Sequence, residues 1–154
     1  MPTVDCSGFD YSLFNPTQFG LKFSHLPHMN FWLQSVNLPD VSIQAARQST
    51  PLLDFPWPGE KLEYGALTCS ILLDDKLKTY KELYSWMVSN TTSSTSRNNG
   101  FTLSDAILTM SSSSVNFVDV FPISMSQIPM TIATDVISPV TFTAVFAYSK
   151  FDIF

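Results

Sequence analysis

The chain has 154 residues, with 13 acidic side chains against 8 basic ones and a net charge of −5, and this composition excludes several functions. The few cations are scattered, whereas tight binding of a nucleic-acid backbone needs them clustered. No apolar run reaches the ~18 residues of a membrane-spanning helix, and no cationic segment precedes an apolar one as in a signal peptide. We therefore expect a protein that folds in a reducing cytoplasm, without tight binding to nucleic acid or insertion into a membrane.

The surface is predicted to be short of charge. Hydrophobic residues make up 45% of the chain and charged residues only 14%, where an average domain has ~25% charged residues. Uncharged polar residues fill the gap, most densely from Asn90 to Asn99. Because a free monomer relies on charge to stay dispersed, this surface favours assembly with other copies over an ordinary β protein with a serine-rich exterior.

Candidates for catalysis, metal binding or cofactor binding are few. Cys6 and Cys69 are the only cysteines, and Cys69 lies in an apolar run that is typical of a core strand. His25 and His28 flank Pro27 without the further Cys, His or acidic partners of a metal site. The sequence has no glycine-rich phosphate loop and no nucleophile elbow. We therefore expect no enzyme activity and no cofactor, with both histidines in surface or packing roles.

The first part of the chain predicts an extended arm followed by strands. Residues 1–17 combine scattered aromatic residues with glycine and proline and show neither a helical nor a strand period, which indicates an arm that docks on this subunit or on a neighbour. Apolar and polar residues alternate over residues 18–24, as in a strand with one buried face. After a turn at 26–28, strands are predicted at 31–36 and, more weakly, at 41–47.

Residues 49–59 predict a long ordered loop. Pro51, Pro56 and Pro58 lack the N–H group that a residue of a central strand donates. The large apolar side chains of this segment are unlike those of a solvated loop: Leu52, Leu53, Phe55 and Trp57. These side chains pack either on their own sheet or on another subunit, and both interpretations stay open at this point.

A helix is predicted at residues 76–88, after strands at 61–64 and 67–73. Asp74 and Asp75 precede it, and an aspartate at that place can accept hydrogen bonds from the free N–H groups of the first helical turn. Apolar residues recur at steps of three and four and predict one buried helix face: Leu77, Tyr80, Leu83, Tyr84 and Met87.

The rest of the chain predicts one loop and several strands. Residues 90–100 are low in complexity and indicate a mobile loop or hairpin tip. Strands are predicted at 101–110 and 115–121 around a serine turn, at 122–128 and, beyond Pro129, at 130–133. In a last strand, residues 140–148, alternate positions share one face: Val140, Phe142, Ala144, Phe146 and Tyr148.

Together these elements predict a mostly β fold, an antiparallel β-sandwich or barrel with one α-helix. The chain divides into the extended N-terminal arm, residues 1–17, and one domain, residues 18–154.

The order of several short phrases resembles the tail tube protein family of contractile-tailed bacteriophages. The phrases are Leu26-Pro27 followed by Phe31-Trp32, VNLPDVSI at 36–43, PWPGEKL at 56–62, LLDD at 72–75 with Leu77, Tyr80 and Trp86, FPIS at 121–124, and a last strand ending in Tyr148 with Phe151 after it. They extend over residues 19–151, and their order is a stronger signal than any single phrase.

The resemblance implies a structural virion protein, a subunit of the hollow tail tube that conducts DNA during infection. Its copies would form hexameric rings, which stack into a tube inside a contractile sheath, with sheath, baseplate and terminator proteins as further partners. Genomic DNA would pass through the lumen without specific binding, and the protein would reside in the virion tail after assembly in the host cytoplasm. The residues expected at contacts between subunits are Leu52, Leu53, Phe55 and Trp57, with Phe9, Tyr11 and Phe14 in the arm.

Two alternatives remain open. A tube-initiating baseplate protein or a tail terminator of similar fold would end a stack of rings instead of extending it. A β-sandwich module that binds glycans would use exposed Trp32, Trp57 or Trp86 to stack on sugar rings.

Overall fold

The computed structural model describes residues 14–93, 101–132 and 138–154, and the predicted fold class is confirmed as mostly antiparallel β structure. The described residues form nine strands and two helices. Their bounds are β1 Phe19–Phe23, α1 Met29–Trp32, β2 Leu33–Asn37, β3 Val41–Ser49, β4 Asp54–Tyr64, β5 Leu67–Leu72, α2 Lys78–Ser93, β6 Ser104–Met110, β7 Ser113–Met125, β8 Thr141–Ala147 and β9 Lys150–Ile153.

The long strand β7 joins two antiparallel sheets into a sandwich. Hydrogen bonding runs in the order β1-β6-β7-β8-β5-β2, and β9 adds to the first half of β7. The first half of β7 pairs with β6 and β9, and from Phe121 onward the strand pairs with β8. Asp119 lies at this change of partner with φ of 57°, and its carboxylate accepts a hydrogen bond of 3.2 Å from the Ser149 hydroxyl. A strand that bends in this way lets the two sheets face each other across one core.

The core lies between the sheets and follows the predicted alternation. Buried and half-buried residues alternate along β5 and along β8, where Phe142, Ala144 and Phe146 all point inward as predicted. Phe23 of the opposite sheet meets Phe146 with ring centroids 4.9 Å apart. Cys69 is fully buried on β5, as predicted, and burial raises the pKa of its thiol to about 12, so the thiol stays neutral.

Helix α2 covers the core, but its buried face differs from the predicted one. Asp74 caps it as predicted, because the Lys78 N–H donates a hydrogen bond of 2.9 Å to the Asp74 carboxylate. The face centres on Thr79, Leu83 and Trp86, three positions at helical spacing that are almost completely buried. Tyr84 is 59% exposed and the prediction for it was wrong, because it lies ~100° around the helix from Leu83.

Several predicted bounds were also wrong. Residues 29–32 form the short helix α1, where the sequence predicted that a strand begins at residue 31. Met29 is buried and Phe31 is exposed. In a strand, two residues at this spacing would lie on the same face. The predicted loop at 90–100 begins too early, because residues 90–93 continue α2. The rest of that prediction, residues 94–100, lies outside the described residues. Strand β9 was not predicted.

Strand β7 runs through Pro122, where the sequence predicted a break. Within the described part of the chain, this half of β7 pairs with β8 on one side only, and a proline can occupy such an edge. The strand ends at Met125, because Ser126 takes over the pairing: its N–H donates to the Thr143 carbonyl and its hydroxyl accepts from the Thr143 N–H. Residues 130–132 form no strand, and residue 133 of that prediction lies outside the described part.

Candidate subunit interface

The predicted loop at 49–59 is in fact largely a strand. Strand β4 pairs with β3 as a two-stranded antiparallel hairpin that is separate from the main sheet. Pro56 lies opposite Arg47 and Pro58 opposite Ala45. The prolines therefore exclude a central strand, as predicted, but not an edge strand, because an edge strand leaves one row of backbone groups unpaired.

The hairpin carries a wide bulge in its middle. Ile43 pairs with Leu62 and Ala45 with Pro58, so three residues of β4 stand against one of β3. Gly59 lies in this bulge, where a Cβ atom would come within 2.0 Å of the Gln44 carbonyl oxygen. The bulge therefore needs a residue without a side chain at this position.

The far end of the hairpin presents large apolar side chains to solvent. Trp57 lies opposite Ala46 and Phe55 opposite Gln48, so both aromatic side chains share one face. Leu52 is 96% exposed in the connecting turn, where Thr50 and Leu53 hold each other through backbone and hydroxyl hydrogen bonds. We call the four residues Leu52, Leu53, Phe55 and Trp57 the hairpin tip.

The near end of the hairpin is apolar as well, which the sequence analysis missed. Val41, Ile43 and Leu62 share one face there and are about half exposed. Every residue of β3 is exposed, and so is all of β4 except Gly59 and Tyr64. A two-stranded ribbon without a covered face is marginal in water, so these side chains define a surface that lacks its partner within the described part of the subunit.

Hydrogen bonds and aromatic rings hold the base of the hairpin. The Gly65 N–H donates to the Asp40 carbonyl oxygen at 2.9 Å, which closes the two ends of the hairpin on each other. The Tyr148 hydroxyl donates to the Gly65 carbonyl oxygen at 2.8 Å, and the Tyr64 ring packs edge-on against Phe151 at 5.4 Å. These contacts fix the base of the hairpin to the main body of the subunit.

The predicted interface residues of the arm are only partly within the described residues. Phe9 and Tyr11 lie outside them. Phe14 is exposed and lines a recess of about 390 Å³ beside β1 and β2, together with Phe19, Leu38 and Leu108. The structure thus places Phe14 apart from the hairpin tip on a second apolar surface.

The tryptophans and histidines give little support to a sugar or metal site. Trp86 is 2% exposed and Trp32 is half-buried, so of the three only Trp57 could stack on a sugar. His25 packs on Trp86 at 5.0 Å, and His28 accepts a hydrogen bond of 3.2 Å from the Lys78 ammonium group. Over residues 14–93, 101–132 and 138–154, no three His, Cys, Asp or Glu residues come together as metal ligands. In the same ranges, no helix has the length and apolarity to cross a membrane.

Comparisons with known proteins find likeness in structure but not in sequence. No family model matches the chain, and no curated protein matches it. A chain in the sheath-tube complex of the extracellular contractile injection system PVC superimposes with a TM-score of 0.69 at 13% identity, over 99% of this chain and 98% of that chain. A chain in the tube-terminating cap of the anti-feeding prophage gives 0.69 at 12% identity, over 97% of each chain.

A third structure, the sheath/tube terminator of PVC in its extended state, gives a TM-score of 0.69 at 13% identity, over 94% of this chain and 97% of that one. The identities are low, so the likeness concerns the fold. The chain has the tail-tube-like fold that occurs in structural components of contractile injection systems.

Proposed function

We propose that the chain is a structural subunit of the hollow tube of a contractile tail, in which copies form stacked hexameric rings. The observation that carries this proposal is the hairpin, an ordered ribbon that exposes apolar side chains on both of its faces in the single subunit. Contacts repeated around a ring and between rings would cover these side chains and the free sheet edges together. The tail-tube-like fold agrees with this role.

The charge suits a conduit for DNA. Six copies at −5 each carry −30 per ring, and a lumen wall with this sign would not hold phosphates as they pass. In this proposal the subunit is not an enzyme, and its partners are further copies, the sheath, the baseplate and the terminator of a phage virion. Assembly takes place in the host cytoplasm.

A terminator or a tube-initiating baseplate protein is the second candidate. The observation in its favour is that the similar folds occur in structures of a terminator, a cap and a baseplate as well as of a tube. Such a subunit would use the hairpin for contacts within one ring, and no further ring would stack on one face of that ring. Electron microscopy of negatively stained purified protein distinguishes them, because a tube subunit grows long hollow filaments and a capping subunit stops at single rings.

Trp57→Ala tests the role of the hairpin. Burial of one large aromatic side chain at a subunit contact stabilises that contact by ~1.5–3 kcal/mol, and the loss recurs for each copy in a ring. We expect the variant to melt like the parent as a monomer and to form far fewer rings or filaments. Phe31→Ala is the matched control, because Phe31 is also an exposed aromatic residue but lies outside the hairpin.

Two outcomes would contradict the proposal. A large loss of monomer stability in Trp57→Ala would place Trp57 in the packing of its own subunit. Unimpaired filaments in that variant would exclude the hairpin tip from the growing contact.

A further inference from the structure

An apolar groove lies on the main body of the subunit, between the end of α2 and the second half of β7. Its walls include Met87, Phe101, Leu103, Phe121, Pro122 and Ile123. The groove encloses about 520 Å³, within the ~300–1,000 Å³ of clefts that bind ligands. Among the described residues, no charged side chain lines it. We call it the α2–β7 groove.

The wall formed by residues 101–103 is held in place without help from a partner. The Asn90 side chain accepts a hydrogen bond of 2.8 Å from the Thr102 N–H, and the Trp86 indole donates one of 2.8 Å to the Thr102 carbonyl oxygen. Phe101 and Leu103, on either side of Thr102, point outward and are exposed. The groove is therefore formed before anything occupies it, which lowers the entropic cost of binding.

We propose that the α2–β7 groove receives the hairpin tip of a second copy of this chain. The inference rests on the proposed function, which makes the hairpin a contact between subunits, and it names the surface on which the hairpin docks. The hairpin tip can fill the groove with two leucine side chains at the turn and two aromatic side chains at the start of β4, all exposed in their own subunit.

Segments of the same chain fit the groove less well. The hairpin tip of the same subunit is exposed, so it does not fill its own groove. Residues 94–100, next to the groove in sequence, are serine, threonine, arginine, asparagine and glycine and supply no apolar side chain. The N-terminal arm enters the described structure at Phe14, beside the opposite end of β6 from Leu103.

Charge also favours a second copy as the occupant. Two copies at −5 each repel one another, so a contact between surfaces with few carboxylates adds little to this repulsion. The described residues that line the groove are uncharged, and Asp54 is the single charged residue in the segment 50–58 that forms the tip. Because the tip and the groove are different surfaces, the contact is head-to-tail, and such contacts close into rings or continue as filaments.

Cross-linking between two singly substituted variants tests this pairing. Leu53→Cys marks the tip and Ile123→Cys marks the groove, both in a Cys6→Ser background. Cys69 does not compete, because it is buried and its thiol pKa is about 12. A short bifunctional maleimide should link the two variants into dimers when they are assembled as a mixture, and should link neither variant efficiently when it is assembled alone.

The outcomes separate this inference from the proposed function. Tubes or rings that assemble without cross-linking in the mixture would overturn the groove as the docking surface and leave the proposed function intact. Efficient cross-linking within Leu53→Cys alone would indicate a tip-to-tip contact and overturn the pairing. If no assembled species forms from the unmodified chain, the proposed function fails and the pairing fails with it.

A charge placed in the groove gives a second test. Ile123→Asp should reduce assembly at least tenfold, to the level of Leu53→Asp, while both monomers melt like the parent. Ile132→Asp is the matched control, because Ile132 is a fully exposed isoleucine outside both surfaces. Equal losses of assembly in Ile123→Asp and Ile132→Asp would overturn the inference, because the effect would then come from charge alone.

Discussion

The hydroxyl of Tyr148 donates a hydrogen bond of 2.8 Å to the carbonyl oxygen of Gly65, where the hairpin returns to the main body. Tyr148 lies just after β8, so the bond ties the base of the hairpin to the core sheet. Burial, with smaller contributions from Tyr64 and Asp40, raises the pKa of Tyr148 to about 12. The fold therefore favours the neutral phenol that makes this bond.

We predict that Tyr148→Phe lowers the free energy of unfolding by ~0.5–1.5 kcal/mol, because the variant loses the hydrogen bond and keeps the ring. It should also weaken assembly, since the hairpin is less firmly oriented. Denaturant melts of the monomer and counts of filaments in micrographs measure the two effects. An unchanged melt at neutral pH would show that the bond does not hold the base of the hairpin.

The effect of Tyr148 should depend on pH in one direction. The phenol's pKa is 10.0 without the fold and about 12 within it, so its stabilisation is complete below pH 10 and is lost as the pH rises through 12. The stability difference between the parent and Tyr148→Phe should shrink over that window. A difference that grows between pH 10 and 12 would contradict the assignment.

Leu83→Ala should lower the free energy of unfolding by ~2–5 kcal/mol, because the side chain is completely buried beneath α2 and its removal leaves a cavity. Tyr84→Ala, one residue further along the same helix, is the control and should change the stability by less than ~0.5 kcal/mol. Urea melts of both variants make the comparison. Similar losses in the two variants would mean that the helix packs on a different face.

The sequence predicted those parts of the fold in which one side of an element is buried. Strands β5 and β8 have one such face, and the alternation of Phe142, Ala144 and Phe146 indicated it directly. In α2 the spacing of apolar residues predicted the helix, but it did not show which of the aromatic residues Tyr84 and Trp86 is buried. Hydropathy could not show that Trp86 turns inward, because its indole N–H finds an acceptor at Thr102.

The sequence indicated the exposed apolar residues of the hairpin tip, whose role at a subunit contact stays a prediction, but it did not indicate their structure. The three prolines suggested a loop at 49–59. Proline, however, excludes only a strand that is paired on both sides, and the sequence does not reveal that β4 pairs with β3 alone. No local pattern in the sequence predicts the α2–β7 groove. Its walls come from α2, residues 101–103 and β7, which become neighbours only when the chain folds.

Gly59→Ala should disturb the hairpin without unfolding the subunit. A Cβ atom at this position would stand 2.0 Å from the backbone oxygen of Gln44, so the bulge has to open or change register. We expect a loss of assembly as large as that of Trp57→Ala, with a monomer melt close to the parent. Gly20→Ala is the control, because the nearest atom to its Cβ is 3.7 Å away. Normal filaments from Gly59→Ala would show that the bulge geometry does not matter for the contact.

Asn90→Ala should loosen one wall of the α2–β7 groove. The Asn90 carboxamide accepts a hydrogen bond of 2.8 Å from the Thr102 N–H and donates one of 3.4 Å to the Thr102 carbonyl oxygen, so the variant removes the acceptor on which that amide depends. We expect a stability loss of ~1–3 kcal/mol, faster hydrogen exchange at the Thr102 amide, and weaker assembly because Phe101 and Leu103 are no longer held in position. Ser89→Ala is the control, since the Ser89 hydroxyl donates to the Trp86 carbonyl oxygen within the helix and no bond to Thr102 is lost. Unchanged protection of the Thr102 amide in Asn90→Ala would show that Trp86 alone holds this wall, and unchanged assembly with a loosened wall would mean that the groove takes no part in the contact between copies.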